Sequence, residues 1–277
     1  MKRFLPFLNG PYTTAPGLTP LRGDQKIFDE DEHYQEYIAN KNRCRAEDIT
    51  KYYCTHKFNE RTERAVTDFL FSRLHNEYPG LLDFDRDTYP SLFDAICSHL
   101  QEDLAVIQLD GEKDWLAAIH LCSPNHWDPR TKIGRPFNDI HIPVPGIERT
   151  VKNYPVMLKM IVEKDVFTRF AWGIATDMRL NHHPEPPPGY DATEWRGRRV
   201  ADQNTEFFVR VERQNLIGLK EVNAFIFTIR TYFYPVSGLN ADERVALTNA
   251  IRSMTPESLD YKGMTSFKSQ LLSLLAK

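Results

Sequence analysis

The sequence predicts an α+β fold in which an antiparallel sheet, built from hairpins, is preceded and followed by helices. Three observations carry this. The stretch 206–236 alternates with a period of two on either side of a polar bend, and the stretch 104–122 does so around Asp110 and Gly111. The flanking segments instead repeat their apolar residues at helical spacing. With 277 residues the chain is long enough to bury one large core. The expectation is a single domain over 1–277 with helical additions at both ends.

Taken in order, the first two dozen residues carry Pro6, Pro11, Pro16 and Pro20 and are expected to wrap over the surface as irregular chain. The spacing predicts an exposed helix over 29–45, acidic in its first turn. A second is predicted over 60–78, with Ala65, Phe69, Leu70 and Leu74 as its stripe and Pro79 and Gly80 as its stop. A third over 91–103 turns Leu92, Ala95, Ile96 and Leu100 inward and runs into the strand LAVIQLD, which the Asp110–Gly111 turn folds back onto DWLAAIHLC. The following run, SPNHWDPRTKIGRPFNDIHIPVPG, is too rich in proline for regular structure and too apolar for a linker. Ordered loops of this kind line sites. A helix over 147–164 is expected to kink or split at Pro155, a strand is expected over 167–175, and NHHPEPPPG is expected to be a loop or extended segment on the surface. After the second hairpin, Asn240 with Glu243 makes a capping box, and Thr255 with Pro256 starts a final helix.

Composition excludes several function classes. A net charge of -3, with the charges interspersed, leaves no electrostatic footprint for nucleic acid. No apolar run approaches the roughly 20 residues that span a bilayer. The opening MKRFLPFLNGPY is broken by Pro6, Asn9 and Gly10 and fails as a signal peptide, so a cytoplasmic location is expected. Cys44, Cys54, Cys97 and Cys122 form neither CxxC nor CxxCH, which removes the signatures of structural zinc, iron–sulfur ligation and covalent haem. Neither a P-loop nor GxGxxG is present to bind nucleotide.

Chemistry is best sought on the second hairpin. Alternation puts Arg210, Glu212 and Gln214 on one face of its first strand, and Arg230 and Tyr232 on one face of the second. Facing each other, these residues would gather fork-shaped cations, a carboxylate and a phenol on one surface. Arg213 points the other way on a regular strand and joins that surface only through a bulge. Either this is an ordinary solvated face with paired charges, or it is a site. Among the histidines, His141 stands in IHIPVPG, where Ile140, Ile142 and Val144 give apolar cover and Pro143 and Pro145 stiffen the backbone. It fits a satisfied core histidine or a ligand. His120, His126, His182 and His183 are the competing candidates. Lys132 and Arg135 flank Gly134 as solvated loop charges or as partners for an anion.

The runs RVERQNL, FIFTIRTYF and KIGRPFNDIHIPVPG resemble the family of the alpha subunit of haem-dependent oxidative N-demethylase, over about Pro16 to Tyr261. That resemblance implies a PAS-like sheet carrying haem b, with iron held by a histidine. His141 matches the most specific histidine-containing motif, with Lys132 and Arg213 as further cofactor-binding residues. It implies dioxygen-dependent demethylation of a small secondary amine such as dimethylamine, giving formaldehyde. The hairpin face then puts Arg210, Glu212, Arg230 and Tyr232 at the expected reacting centre. NADPH, FMN and an iron–sulfur cluster are expected only on partner reductase subunits, and a folate-binding subunit is expected to take the formaldehyde. A haem-containing sensor or binding module without turnover is the alternative.

Overall fold

The computed structural model describes residues 3–23, 25–164, 166–198, 200 and 205–276. Its strands are β1 (Thr19–Pro20), β2 (Tyr53–Thr55), β3 (Asp103–Asp110), β4 (Lys113–His120), β5 (Phe167–Ala175), β6 (Phe208–Leu219) and β7 (Ala224–Pro235). They form a seven-stranded sheet in the order β1-β5-β6-β7-β3-β4-β2, and every neighbouring pair is antiparallel. The expected α+β architecture is therefore present. β6 and β7 lie at the sheet's centre, and Asn223 ends their connection in the left-handed conformation that asparagine tolerates.

The helices are α1 (Tyr34–Asp48), α2 (Glu60–Glu77), α3 (Leu92–Ser98), α4 (Phe137–His141), α5 (Glu148–Glu163), α6 (Ala192–Trp195), α7 (Ala241–Arg252), α8 (Pro256–Tyr261) and α9 (Lys268–Leu275). Several begin where side chains can satisfy free backbone N–H groups. Asn59 accepts from Thr62 N, Ser91 from Asp94 N and Thr255 from Ser258 N, and Asn240 with Glu243 completes the capping box. The helix expected over 29–45 begins only at Tyr34. Asp29 and Asp31 instead belong to an extended strap, because their carboxylates are used by the sheet.

The sheet separates three apolar clusters. On one face, α2 and α3 cover Leu104, Val106, Ile217 and Ile226, while α7 to α9 and Phe7 cover Val209, Val211, Trp172 and Tyr234. On the other, Leu158, Ile161 and Val162 of α5 cover Ala105, Ile107, Leu216, Phe225 and Ile229. Each fully buried aliphatic side chain contributes about 1.5–3 kcal/mol to holding these layers together. This second face is apolar only as far as Phe167, Leu216 and Ile229. Its remaining part decides the rest.

Candidate functional site

Beyond that apolar boundary the same face turns polar. The register sets Gln214 between Arg169 and Ile229, Glu212 between Ala171 and Thr231, and Arg210 between Gly173 and Phe233. Directly paired residues share a face, so Arg169, Arg210, Glu212 and Gln214 form one floor with two small residues of β5 between the charges. A Cβ built on Gly173 meets nothing within 4 Å, which marks open space above that floor. Glu212 bonds to Arg210 Nη1 and accepts from Gln214 Nε2 at 2.9 Å, and Arg210 also donates to Ser123 O at 2.9 Å. Arg169 Nε, Arg210 Nε and Gln214 Oε1 are covered atoms without a hydrogen-bond partner among the described residues. Since buried polar atoms are nearly always satisfied, these orphans ask for a ligand.

Around the floor stand His141, Lys132, His126, Arg198 and Lys262. His141 closes α4. Its Nδ1 lies 2.7 Å from Phe137 O and its ring centroid 4.1 Å from that of Phe137. A carbonyl only accepts, so Nδ1 carries the proton and Nε2 presents its lone pair. That is the arrangement metal-binding imidazoles show. Burial, with help from the charges of Lys132 and Arg169, pushes His141 down to about 4, so the ring is neutral at pH 7. Lys132 donates to Ile140 O at 3.1 Å and lies 4.7 Å from the Trp127 ring, which braces the turn that carries His141. Lys262 follows α8 and reaches around β5 to donate to Trp172 O at 2.6 Å. Burial, then the charges of Arg198, Arg169 and Arg210, pushes it down to about 8 against the opposing pull of Glu212.

The expected grouping of Arg230 and Tyr232 with Arg210 and Glu212 is corrected by the register. Arg230 pairs with Arg213 and Tyr232 with Val211, so these residues occupy the opposite face. The cause is the length of the β6–β7 connection: shifting the pairing by one residue exchanges the faces. Arg213 belongs to this second face without a bulge, so it and His141 lie on opposite sides of the sheet. All three residues fasten the strap there. Arg213 donates to Lys26 O at 2.6 Å and Ile27 O at 3.2 Å, Arg230 donates to Asp31 Oδ2 at 2.9 Å, and Tyr232 donates to Asp29 Oδ2. Arg230 is 1% exposed, with its guanidinium 4.0 Å from the Tyr37 ring and 4.7 Å from that of Tyr232.

The competing histidines are placed as follows. His120 is buried 3.2 Å from Asp94, whose two carboxylate oxygens also share Nη2 of Arg45. Asp103, His120 and Cys122 bring potential ligand atoms within 4.8 Å of one another. However, Asp103 already accepts from Cys122 N and Ser123 N, with the Lys41 ammonium at 3.6 Å, so its charge is compensated by the chain itself. His183 is buried against Asp128 and Glu185. His182 binds Asp177 at 2.9 Å and packs 4.9 Å from His126, which lies within electrostatic reach of Arg198 and Arg210. Two clefts of about 320 and 350 Å³ open elsewhere, the first beside His56 and Asp114, the second beside Asn59 and Gln108. Neither meets the polar floor.

A family model described as haem-dependent oxidative N-demethylase, alpha subunit-like, matches residues 17–272. The chain belongs to this family. The family's description names an oxidoreductase that depends on haem and an alpha subunit, which implies a system of more than one chain. The residues around the polar floor fit such a group: a neutral imidazole with a free lone pair, orphaned cationic donors and open space over Gly173. No helix among the described residues is long and apolar enough to cross a membrane.

Arg169, Gly173 and Lys262 were not singled out by the sequence patterns. In FTRFAWGIA the alternate positions are Arg169, Ala171 and Gly173, a charge and two small residues amid aromatics, and that contrast is the signal of an open floor. Lys262 has no such signal, because its role arises from the path of α8 around a strand edge.

Proposed function

We propose that this chain is the haem b subunit of a multicomponent system that uses dioxygen to remove a methyl group from a small secondary amine of the dimethylamine type. Family membership supports the reaction class. The observation that carries the placement is His141 with Nδ1 committed to Phe137 O, beside a floor whose arginines and glutamine are left short of partners. On this reading the polar half of the sheet is a PAS-like platform, His141 Nε2 would hold the haem iron, and Lys132 positions His141 by bracing its turn. Bound haem supplies the dioxygen-activating chemistry.

The chain's own residues hold the amine. A secondary ammonium entering a desolvated recess needs a carboxylate to offset the loss of water, and Glu212 is the carboxylate on the floor. Its Oε2, steadied by Gln214, takes the ammonium proton, since the amine must be neutral to be oxidised. Arg210 holds the other oxygen and orients Glu212. The overall balance is (CH3)2NH + O2 + 2e− + 2H+ giving CH3NH2 + CH2O + H2O. Electrons arrive from NADPH through FMN and an iron–sulfur cluster on partner subunits, and formaldehyde passes to a folate-binding subunit. Arg213, Arg230 and Tyr232 serve from the far face by holding the strap.

Titrating the haem-loaded protein with dimethylamine tests the proposal. A perturbed haem spectrum, formaldehyde formed with oxygen and a reductant, and loss of both in Glu212→Gln are expected. Haem uptake with neither response to millimolar amine would replace the enzyme with a haem-containing sensor.

A further inference from the structure

Arg169 sits in the floor with an unusual deficit. Its Nε is covered and unpartnered, and among the described residues its guanidinium makes neither a hydrogen bond nor an ion pair. The carboxylate it feels is Glu212, whose two oxygens are already engaged by Arg210 and Gln214. Burial lowers its affinity for its own proton. Lys262 stands nearby with one bond to Trp172 O, and its surroundings contribute three arginine charges against one glutamate. Tyr12 completes the group. Its ring lies 5.1 Å from Lys262 Nζ, and burial pushes its hydroxyl up to about 12, which keeps it a donor.

Buried cations in proteins are paired, because an uncompensated one loses hydration without return. Here Arg169 and Lys262, both half-buried, converge from β5 and from the chain after α8, at a strand edge that β1 leaves unpaired beyond Thr168 among the described residues. The site therefore calls for an anion, ideally one with two carboxylates on a single edge. We propose that Arg169 and Lys262 form a clamp for the two carboxylate arms of the haem, an inference that rests on the haem reading above.

The test compares haemin with haemin dimethyl ester, whose carboxylates are masked, in equilibrium titrations read by the Soret band and by tryptophan quenching. The wild-type protein is expected to bind haemin about tenfold or more tighter than the ester, as charge-assisted hydrogen bonds require. Arg169→Gln should lose most of that preference by weakening haemin while leaving the ester unchanged, and Lys262→Met should lose part of it. Equal affinity of the wild type for both compounds, or full preference retained in Arg169→Gln, overturns the clamp while the haem reading stands. Uptake of neither compound by the wild type overturns both. The wild-type comparison decides the matter even where a variant fails to fold.

Discussion

Two glycines on the same face of the sheet make opposite predictions about substitution. At Gly218 an added Cβ would lie 2.3 Å from Ile161 O and 2.5 Å from Val162 O, both backbone atoms at the end of α5. Ordinary contact needs about 3.5 Å, so α5 has to retreat by about 1 Å from the sheet it covers. Overpacking of this kind costs about 1–3 kcal/mol, and the upper end applies because no side chain can rotate aside. The reduced freedom of the unfolded chain offsets only about 0.4–1 kcal/mol. At roughly 2–4 °C per kcal/mol for a chain of this size, Gly218→Ala should melt about 4–8 °C below the wild type. At Gly173 the new methyl meets nothing within 4 Å, so Gly173→Ala should melt at or slightly above the wild-type temperature. Gly173→Leu should keep the fold yet obstruct haemin uptake. Thermal melts at one scan rate, followed by far-UV circular dichroism, read all three. A Gly218→Ala protein that melts with the wild type, or a Gly173→Ala protein as weakened as Gly218→Ala, would refute both the close docking of α5 and the open floor.

Glu102 is buried, accepts from Asp29 N at 2.8 Å, and burial raises it to about 7. The folded state therefore holds a proton that the unfolded state has released between about pH 4.5 and 7, and stability falls as pH rises through that window. Glu102→Gln should abolish this slope and stabilise the protein by an order of 3 kcal/mol at pH 8 but hardly at pH 4.5, checked by denaturation at both values. Arg230→Lys should lower the melting temperature through loss of roughly 2–4 kcal/mol in the strap, with turnover per haem-loaded molecule unchanged. Arg210→Lys, which also gives up guanidinium bonds to Ser123 O and Thr231, should lower turnover per haem-loaded molecule on the order of 10- to 100-fold, and steady-state formaldehyde assays separate the two.

The two hairpins and the caps of α7 and α8 were legible in the sequence because alternation and capping are local. β1 and β2, two and three residues long, have no period to read. The register of β6 against β7 was not legible either. Alternation shows which residues of one strand share a face, whereas the partner face depends on how Lys220–Asn223 closes the loop. That single degree of freedom moved Arg230 and Tyr232 from the floor to the strap. The acidic run 29–32 reads as a helix start by charge alone, yet tertiary contacts to Arg230 and Tyr232 hold it extended. The motif singles out His141 as a candidate only, and its hydrogen bond to Phe137 becomes visible once α4 forms a helical turn. The nearness of Arg169 to Lys262 joins residues nearly a hundred positions apart and has no local trace.

The most direct measurement is reconstitution with haemin, followed by the Soret band, in the wild type and in His141→Ala, His126→Ala and His182→Ala. The polar floor and the free Nε2 of His141 predict one haem per chain with a shifted Soret band that only His141→Ala abolishes, its far-UV circular dichroism remaining that of the wild type. No uptake by the wild type, or a Soret shift that survives in His141→Ala and disappears in His126→Ala or His182→Ala, would contradict the account.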